Sequence, residues 1–147
     1  MHYETLDPDE AHGRIAADSK WTFLDVRTER EFQAGHASGA FNVPYAFREL
    51  TGMTQNPSFV DVVQRRFAPD SHLVLGCAAG ARSQRACELL AAAGFRNLVN
   101  MDGGFSGRRD ESGQVVVEGW QARGLPTEAD APVERTYPHL ASESRSC

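Results

Sequence analysis

The sequence predicts an α/β fold, a mainly parallel sheet with helices packed on both faces. Short β-rich apolar runs alternate with segments of helical spacing, and the connections between them are short, which is the pattern of βαβ units. A length of 147 residues suits one domain that buries roughly 70% of the surface its unfolded chain exposes.

The first element is a helix. Asp7 is a candidate N-cap, Pro8 fits the first helical position and Glu10 stands where a capping box needs it, so the helix runs to about Ala17. WTFLDV, from Trp21 to Val26, is an apolar, β-rich run bounded by Arg27 and Thr28 and reads as a buried strand. A short helix follows from Thr28 and stops at Gly35. Residues Ala40 to Tyr45 read as another strand, closed by Pro44, which has no N–H for a sheet ladder. From Ser58 to Phe67 the apolar positions 59, 60, 62, 63 and 67 predict a helix.

HLVLGC, ending at Cys77, is the clearest strand. The Ala- and Leu-rich stretch from Ser83 to Gly94 is the clearest helix, with Gly94 at its C-terminal cap. NLVNMDGG then reads as a strand that ends in a Gly-Gly turn. Between 105 and 118 the turn signal Glu111-Ser112-Gly113 and the run Val115 to Val117 predict a hairpin or lid beside the domain. The domain is expected to span 1–127. The polar, proline-dotted segment 128–147 is expected to be a flexible or surface-hugging extension.

Charge and composition narrow the partners. Fifteen basic residues against 20 acidic give a net charge of -5, without a long run of like charge, so neither nucleic acid nor an anionic membrane is expected as a partner. The chain has no apolar run of membrane-spanning length and its start lacks the features of a signal peptide, which together predict a cytoplasmic protein. Cys77, Cys87 and Cys147 form no CxxC pair, so no disulfide framework or zinc site is expected.

Cys77 is the candidate nucleophile. Ligands on parallel sheets bind at the carboxyl ends of strands, where Cys77 stands. Its thiol needs surroundings that favour the thiolate, and three sources of positive potential converge there. The small residues Ala78, Ala79, Gly80 and Ala81 can curl into a nest of N–H groups. The helix from about Ser83 turns its N-terminus to the same point, and Arg82 adds a permanent charge able to hold an anion. These effects are expected to bring the thiol into the range of about 3.5 to 7.5 seen for activated cysteines. One arginine and no lysine in the loop predicts only modest attraction for an anionic donor.

At these residues the chain resembles the rhodanese (sulfurtransferase) family. LDVRTEREFQAGHASGAFNVP at 24–44 looks like the family's N-terminal signature, CAAGARS at 77–83 matches its C-x-x-G-x-R-S active loop, and LVNMDGGF and GWQARGLP resemble its closing segments. The resemblance spans about residues 5 to 127. It implies a rhodanese-like three-layer sandwich and a sulfurtransferase in which Cys77 takes sulfur from a donor such as thiosulfate, becomes a persulfide and passes the sulfur to cyanide in vitro or a thiol in the cell. By physical reasoning the N–H nest of Ala78, Ala79, Gly80, Ala81 and Ser83 is then expected to bind and stabilise the extra negative sulfur, and the resemblance implies that Asp25 and Arg27 brace the loop and that no cofactor or metal is required.

A persulfide carrier or sensor that docks a protein acceptor is the alternative. A phosphatase or arsenate reductase is disfavoured, because Gly76 rather than histidine precedes Cys77 and only four residues separate Cys77 from Arg82, a loop tight for a tetrahedral anion. The chain departs from the compact family pattern at 105–118, which either covers the active loop and selects the acceptor or is a plain surface hairpin, with Arg108 and Arg109 as rim charges. His36 is expected to hold a turn through an imidazole–backbone bond. Cys87 is expected to be structural and Cys147 an exposed thiol.

Overall fold

The computed structural model describes residues 3–142; Cys147 lies outside them. In chain order the elements are β1 (Glu4–Leu6), α1 (Pro8–Ala17), β2 (Trp21–Asp25), α2 (Glu29–Ala34), β3 (His36–Ala37), β4 (Phe41–Asn42), β5 (Ala46–Glu49), β6 (Gly52–Gln55) and α3 (Phe59–Arg66). There follow β7 (His72–Gly76), α4 (Ala81–Ala92), β8 (Asn97–Met101), β9 (Arg108–Arg109), β10 (Val115–Val117), β11 (Thr127–Glu128), a 3₁₀ turn (Val133–Arg135) and α5 (Tyr137–Ser142).

The central sheet has the order β1-β8-β7-β2-β4 with every neighbouring pair parallel. Side chains alternate across it, as a strand's period of two requires. Leu24, Leu73, Leu75 and Leu98 face α3, α4 and α5, where they meet Phe59, Val63, Leu90 and Leu140. Phe23, Val74, Val99 and Met101 face the other way, against Ala11 of α1, Phe32 of α2 and Trp120. This is the α/β three-layer sandwich expected from the sequence. Among the described residues no helix is long and apolar enough to cross a membrane.

Capping fixes the helix starts. Asp7 accepts the Glu10 N–H at 2.8 Å and donates its own N–H to Glu10 at 3.0 Å, and Thr28 and Glu31 repeat the arrangement at α2. The expected strand at 40–45 is two residues long, because after Asn42 the Val43 and Tyr45 N–H groups bond the Asp25 and Val26 carbonyls, with Pro44 between them unable to donate. Helix α4 begins at Ala81, earlier than expected, since the Gly80 carbonyl already accepts the Gln84 N–H.

Residues 128–142 pack against the domain. β11 pairs with β3, Arg135 donates to the Ala40 carbonyl at 2.8 Å, the Asn56 side-chain amide donates to the Tyr137 hydroxyl at 3.2 Å, and Leu140 is 1% exposed. Of the two expected forms, flexible or surface-hugging, these residues take the second, because a few well-placed side chains anchor a segment whose average composition is polar. Burial of Glu128 would raise its carboxyl, but the Gly39 N–H, Arg135 and His36 outweigh that and hold it below the usual range. His36 itself bonds the Phe32 carbonyl through Nδ1 at 2.7 Å, the turn contact the sequence predicts, and stacks on the Phe32 ring.

If Leu140 is part of the core, Leu140→Ala should cost about 2–5 kcal/mol. A lowered denaturant midpoint checks this; an unchanged midpoint would mean that the segment contributes nothing.

Candidate active site

Strand β7 ends at Gly76, and the next residue, Cys77, is 2% exposed at the carboxyl edge of the sheet. The chain then turns through Gly80, whose φ of 127° is strained for residues with a Cβ, and enters α4 at Ala81. That turn aims two backbone donors at the sulfur. The Gly80 N–H lies 3.1 Å from Sγ and the Ser83 N–H 3.4 Å, with the Ser83 hydroxyl oxygen at 3.5 Å. The N-terminus of a 12-residue helix therefore points at Sγ.

The other loop residues are used differently. Ala78 and Ala79 present carbonyls to the segment after β8: the Ser106 N–H donates to Ala78 at 2.8 Å and the Gly103 N–H to Ala79 at 3.1 Å. The Phe105 N–H donates to the Cys77 carbonyl at 2.8 Å. Gly104 makes this approach possible, since a Cβ there would come within 2.3 Å of the Cys77 carbonyl oxygen. The root of the 105–118 hairpin thus seats the active loop. Farther out, β9 and β10 pair antiparallel, and Arg108 bonds Asp102 at 2.8 Å.

Asp25 and Arg27 lie one layer behind. Arg27 donates to both Asp25 carboxylate oxygens and to the Gly35 carbonyl, and its guanidinium lies 4.4 Å over the Phe105 ring. Both side chains of the pair are nearly inaccessible, at 5% and 3%. Through Arg27 the pair reaches Phe105, the residue whose N–H holds the Cys77 carbonyl.

Arg82 sits where the sequence places it, but its guanidinium is engaged. It forks onto Glu31, with nitrogen–oxygen distances of 2.8 and 3.1 Å. Burial would raise the Glu31 carboxyl, yet the hydrogen bonds and charge of Arg82 and the Thr28 N–H and hydroxyl bring it down to about 2. Three residues of the site escaped sequence reasoning: Glu31, Phe105 and Asn100. The Asn100 Oδ1 accepts from the Ser83 hydroxyl at 2.6 Å, and a polar residue inside the apolar run of β8 was the available signal. Burial pushes the Cys87 thiol up to about 12, with Glu88 and Cys77 adding, so it stays protonated inside the core. Among the described residues no group of His, Cys, Asp and Glu is arranged to hold a metal.

Residues 7–111 match the family described as Rhodanese-like domain. Over 119 residues the chain is 39% identical to thiosulfate sulfurtransferase 16, chloroplastic, of Arabidopsis thaliana, covering 81% of this chain and 88% of that one. It is 42% identical over 116 residues to rhodanese-like domain-containing protein 17 of the same plant, covering 78% and 73%. Among solved structures, Rv0390 from M. tuberculosis superposes with a TM-score of 0.74 at 26% identity, covering 88% of this chain and 100% of that one.

Because the folded Glu31 carboxyl titrates below its ordinary value of 4.5, its stabilising contribution is complete above that pH and fades as pH falls through about 2. Glu31→Gln should therefore melt below wild type at pH 7, and thermal scans across pH should show the gap closing towards pH 2. A constant gap would contradict the ion pair.

Proposed function

The chain belongs to the rhodanese-like domain family, and from that premise we propose that it moves sulfane sulfur through a persulfide on Cys77. The observation that carries this reading is the pair of N–H donors of Gly80 and Ser83 facing Sγ at the N-terminus of α4. Such donors stabilise negative charge on sulfur without any reorganisation, as an oxyanion hole does for oxygen.

In the first half-reaction the Cys77 thiolate attacks the outer sulfur of a donor such as thiosulfate. A new S–S bond forms, the donor's own S–S bond breaks, and sulfite departs with the electron pair. In the second, cyanide or a thiolate attacks the outer sulfur, and the pair of the Cys77 S–S bond returns to Sγ. Neither half-reaction needs a metal or a redox cofactor. The relatives named thiosulfate sulfurtransferase and the four-residue spacing from Cys77 to Arg82 both favour this reading over a phosphatase or arsenate reductase. A carrier or sensor would use the same persulfide and differ in giving its sulfur faster to a partner than to cyanide.

Three roles follow. Gly80 and Ser83 cradle the sulfur, while Ala78, Ala79 and Ala81 shape the loop around it. Asp25 and Arg27 are positioning residues that act through Phe105. Arg82, shared with Glu31, supplies part of the field that draws an anionic donor, which fits modest donor affinity.

Steady-state turnover with thiosulfate and cyanide tests these assignments. Cys77→Ser should abolish turnover, and Arg82→Ala should raise the thiosulfate KM severalfold. Turnover in Cys77→Ser would overturn the mechanism, and an unchanged KM in Arg82→Ala would remove that residue from donor binding.

A further inference from the structure

Asn100 is the polar one of the buried residues of β8. Side chains alternate along the strand, so Leu98 and Asn100 lie on the α4 side of the sheet while Val99 and Met101 lie on the other. An amide buried to 5% exposure costs free energy unless it is hydrogen-bonded. The bond it makes is to the active loop. Register sets Asn100 beside Leu75, two residues before Cys77, and its Oδ1 takes the hydroxyl of Ser83 in the first turn of α4.

That hydroxyl has one proton and three acceptors within reach. From Ser83 Oγ the Asn100 Oδ1 lies at 2.6 Å, the Gly80 carbonyl oxygen at 3.1 Å and Cys77 Sγ at 3.5 Å. The shortest of these lies inside the O–H···O range of about 2.5–3.0 Å and below the N–H···O range of about 2.7–3.2 Å, so the hydroxyl donates and the amide oxygen accepts. With its proton committed to Asn100, Ser83 turns a lone pair to Sγ. It can accept from the Cys77 thiol but gives nothing to the thiolate, which draws on the N–H groups of Gly80 and Ser83.

We infer that Asn100 is a positioning residue: it holds the Ser83 hydroxyl away from Sγ and so keeps one hydrogen bond off the free thiolate. This rests on the sulfur transfer proposed above, and it sets the balance between the two half-reactions. The thiol proton leaves to solvent before attack. A less stabilised thiolate then attacks the donor faster, and it departs more slowly when cyanide or a thiol attacks the persulfide. In the persulfide Sγ carries no charge, so the same lone pair opposes it little. Asn100 therefore biases Cys77 towards holding sulfur.

Alkylation of Cys77 by iodoacetamide across pH, read from the mass of the peptide that carries it, reports the thiolate without requiring sulfur transfer. Asn100→Leu is close in volume and has no acceptor, so it frees the hydroxyl to donate to Sγ. It should lower the pH of half-maximal rate by about one unit, equivalent to about 1.4 kcal/mol. Ser83→Ala should not raise that midpoint, because wild type has no hydroxyl bond to the thiolate to lose. In the Ser83→Ala background Asn100→Leu should shift nothing. The charged and titratable groups around the loop, Arg82 with Glu31, Asp25 with Arg27, Asp102 with Arg108, and Cys87, are the same in every variant. Above both midpoints Asn100→Leu should take sulfur from thiosulfate about threefold more slowly and yield it to cyanide about threefold faster, as one unit at a slope of about 0.4–0.5 implies.

A midpoint that stays at the wild-type value in Asn100→Leu, or rises by about one unit in Ser83→Ala, would overturn the inference, and the second result decides by itself if Asn100→Leu does not fold. A lowered midpoint in a protein that moves no sulfur would keep the role of Asn100 and reject the sulfur-transfer reading. Sulfur transfer with an unmoved midpoint would reject the role of Asn100 alone.

Discussion

The structure depends on how the backbone around Cys77 is seated. The loop from Cys77 to Gly80 has no side chain larger than a methyl to hold it beyond the cysteine itself, so its position comes from backbone bonds to Gly103, Phe105 and Ser106. Those bonds need the two chains to approach closely, and Gly104 is the residue that permits it. Strand β7 delivers the cysteine, α4 receives the chain at Ala81, and the Gly80 and Ser83 N–H groups converge on Sγ as a consequence. The buried Asp25–Arg27 pair supports the same point from behind, through the face of Phe105. Removing one partner of so dry a pair would leave an uncompensated charge, and such losses typically cost about 3–5 kcal/mol.

The sheet and most of its helices were legible because their signals are local. The capping box at Asp7, the apolar run of β7 and the Ala-Leu stretch of α4 each state their element within a few residues. The places of the thiol at the end of β7 and of Arg82 in the first turn of α4 were legible too, from small residues and an arginine at fixed spacing. What could not be read was pairing between distant segments. β1 and β11 are two or three residues long and mostly polar, and they exist because a parallel or antiparallel neighbour completes their hydrogen bonds. Glu31 read as half of a capping box, and nothing local announced that the same carboxylate would hold Arg82 from 51 positions away. Leu140 likewise looks like one apolar residue in a polar tail until α5 folds it against α3.

Two scales of electrostatics divide the proposed work. Close to Sγ, neutral dipoles do most of it, since the one arginine of the active loop is shared with Glu31. Farther out, whole charges line the groove between α2, the β5–β6 hairpin and the start of α4. The 105–118 hairpin serves the first scale: its root fixes the loop, and its outer strands turn Val115 and Val116 to solvent.

The most direct measurement is the intact mass of wild type and Cys77→Ser after incubation with thiosulfate, before and after cyanide. The account predicts that wild type alone gains the mass of one sulfur atom and loses it when cyanide is added. A wild-type protein that gains nothing, or a Cys77→Ser protein that gains the same sulfur, would contradict it.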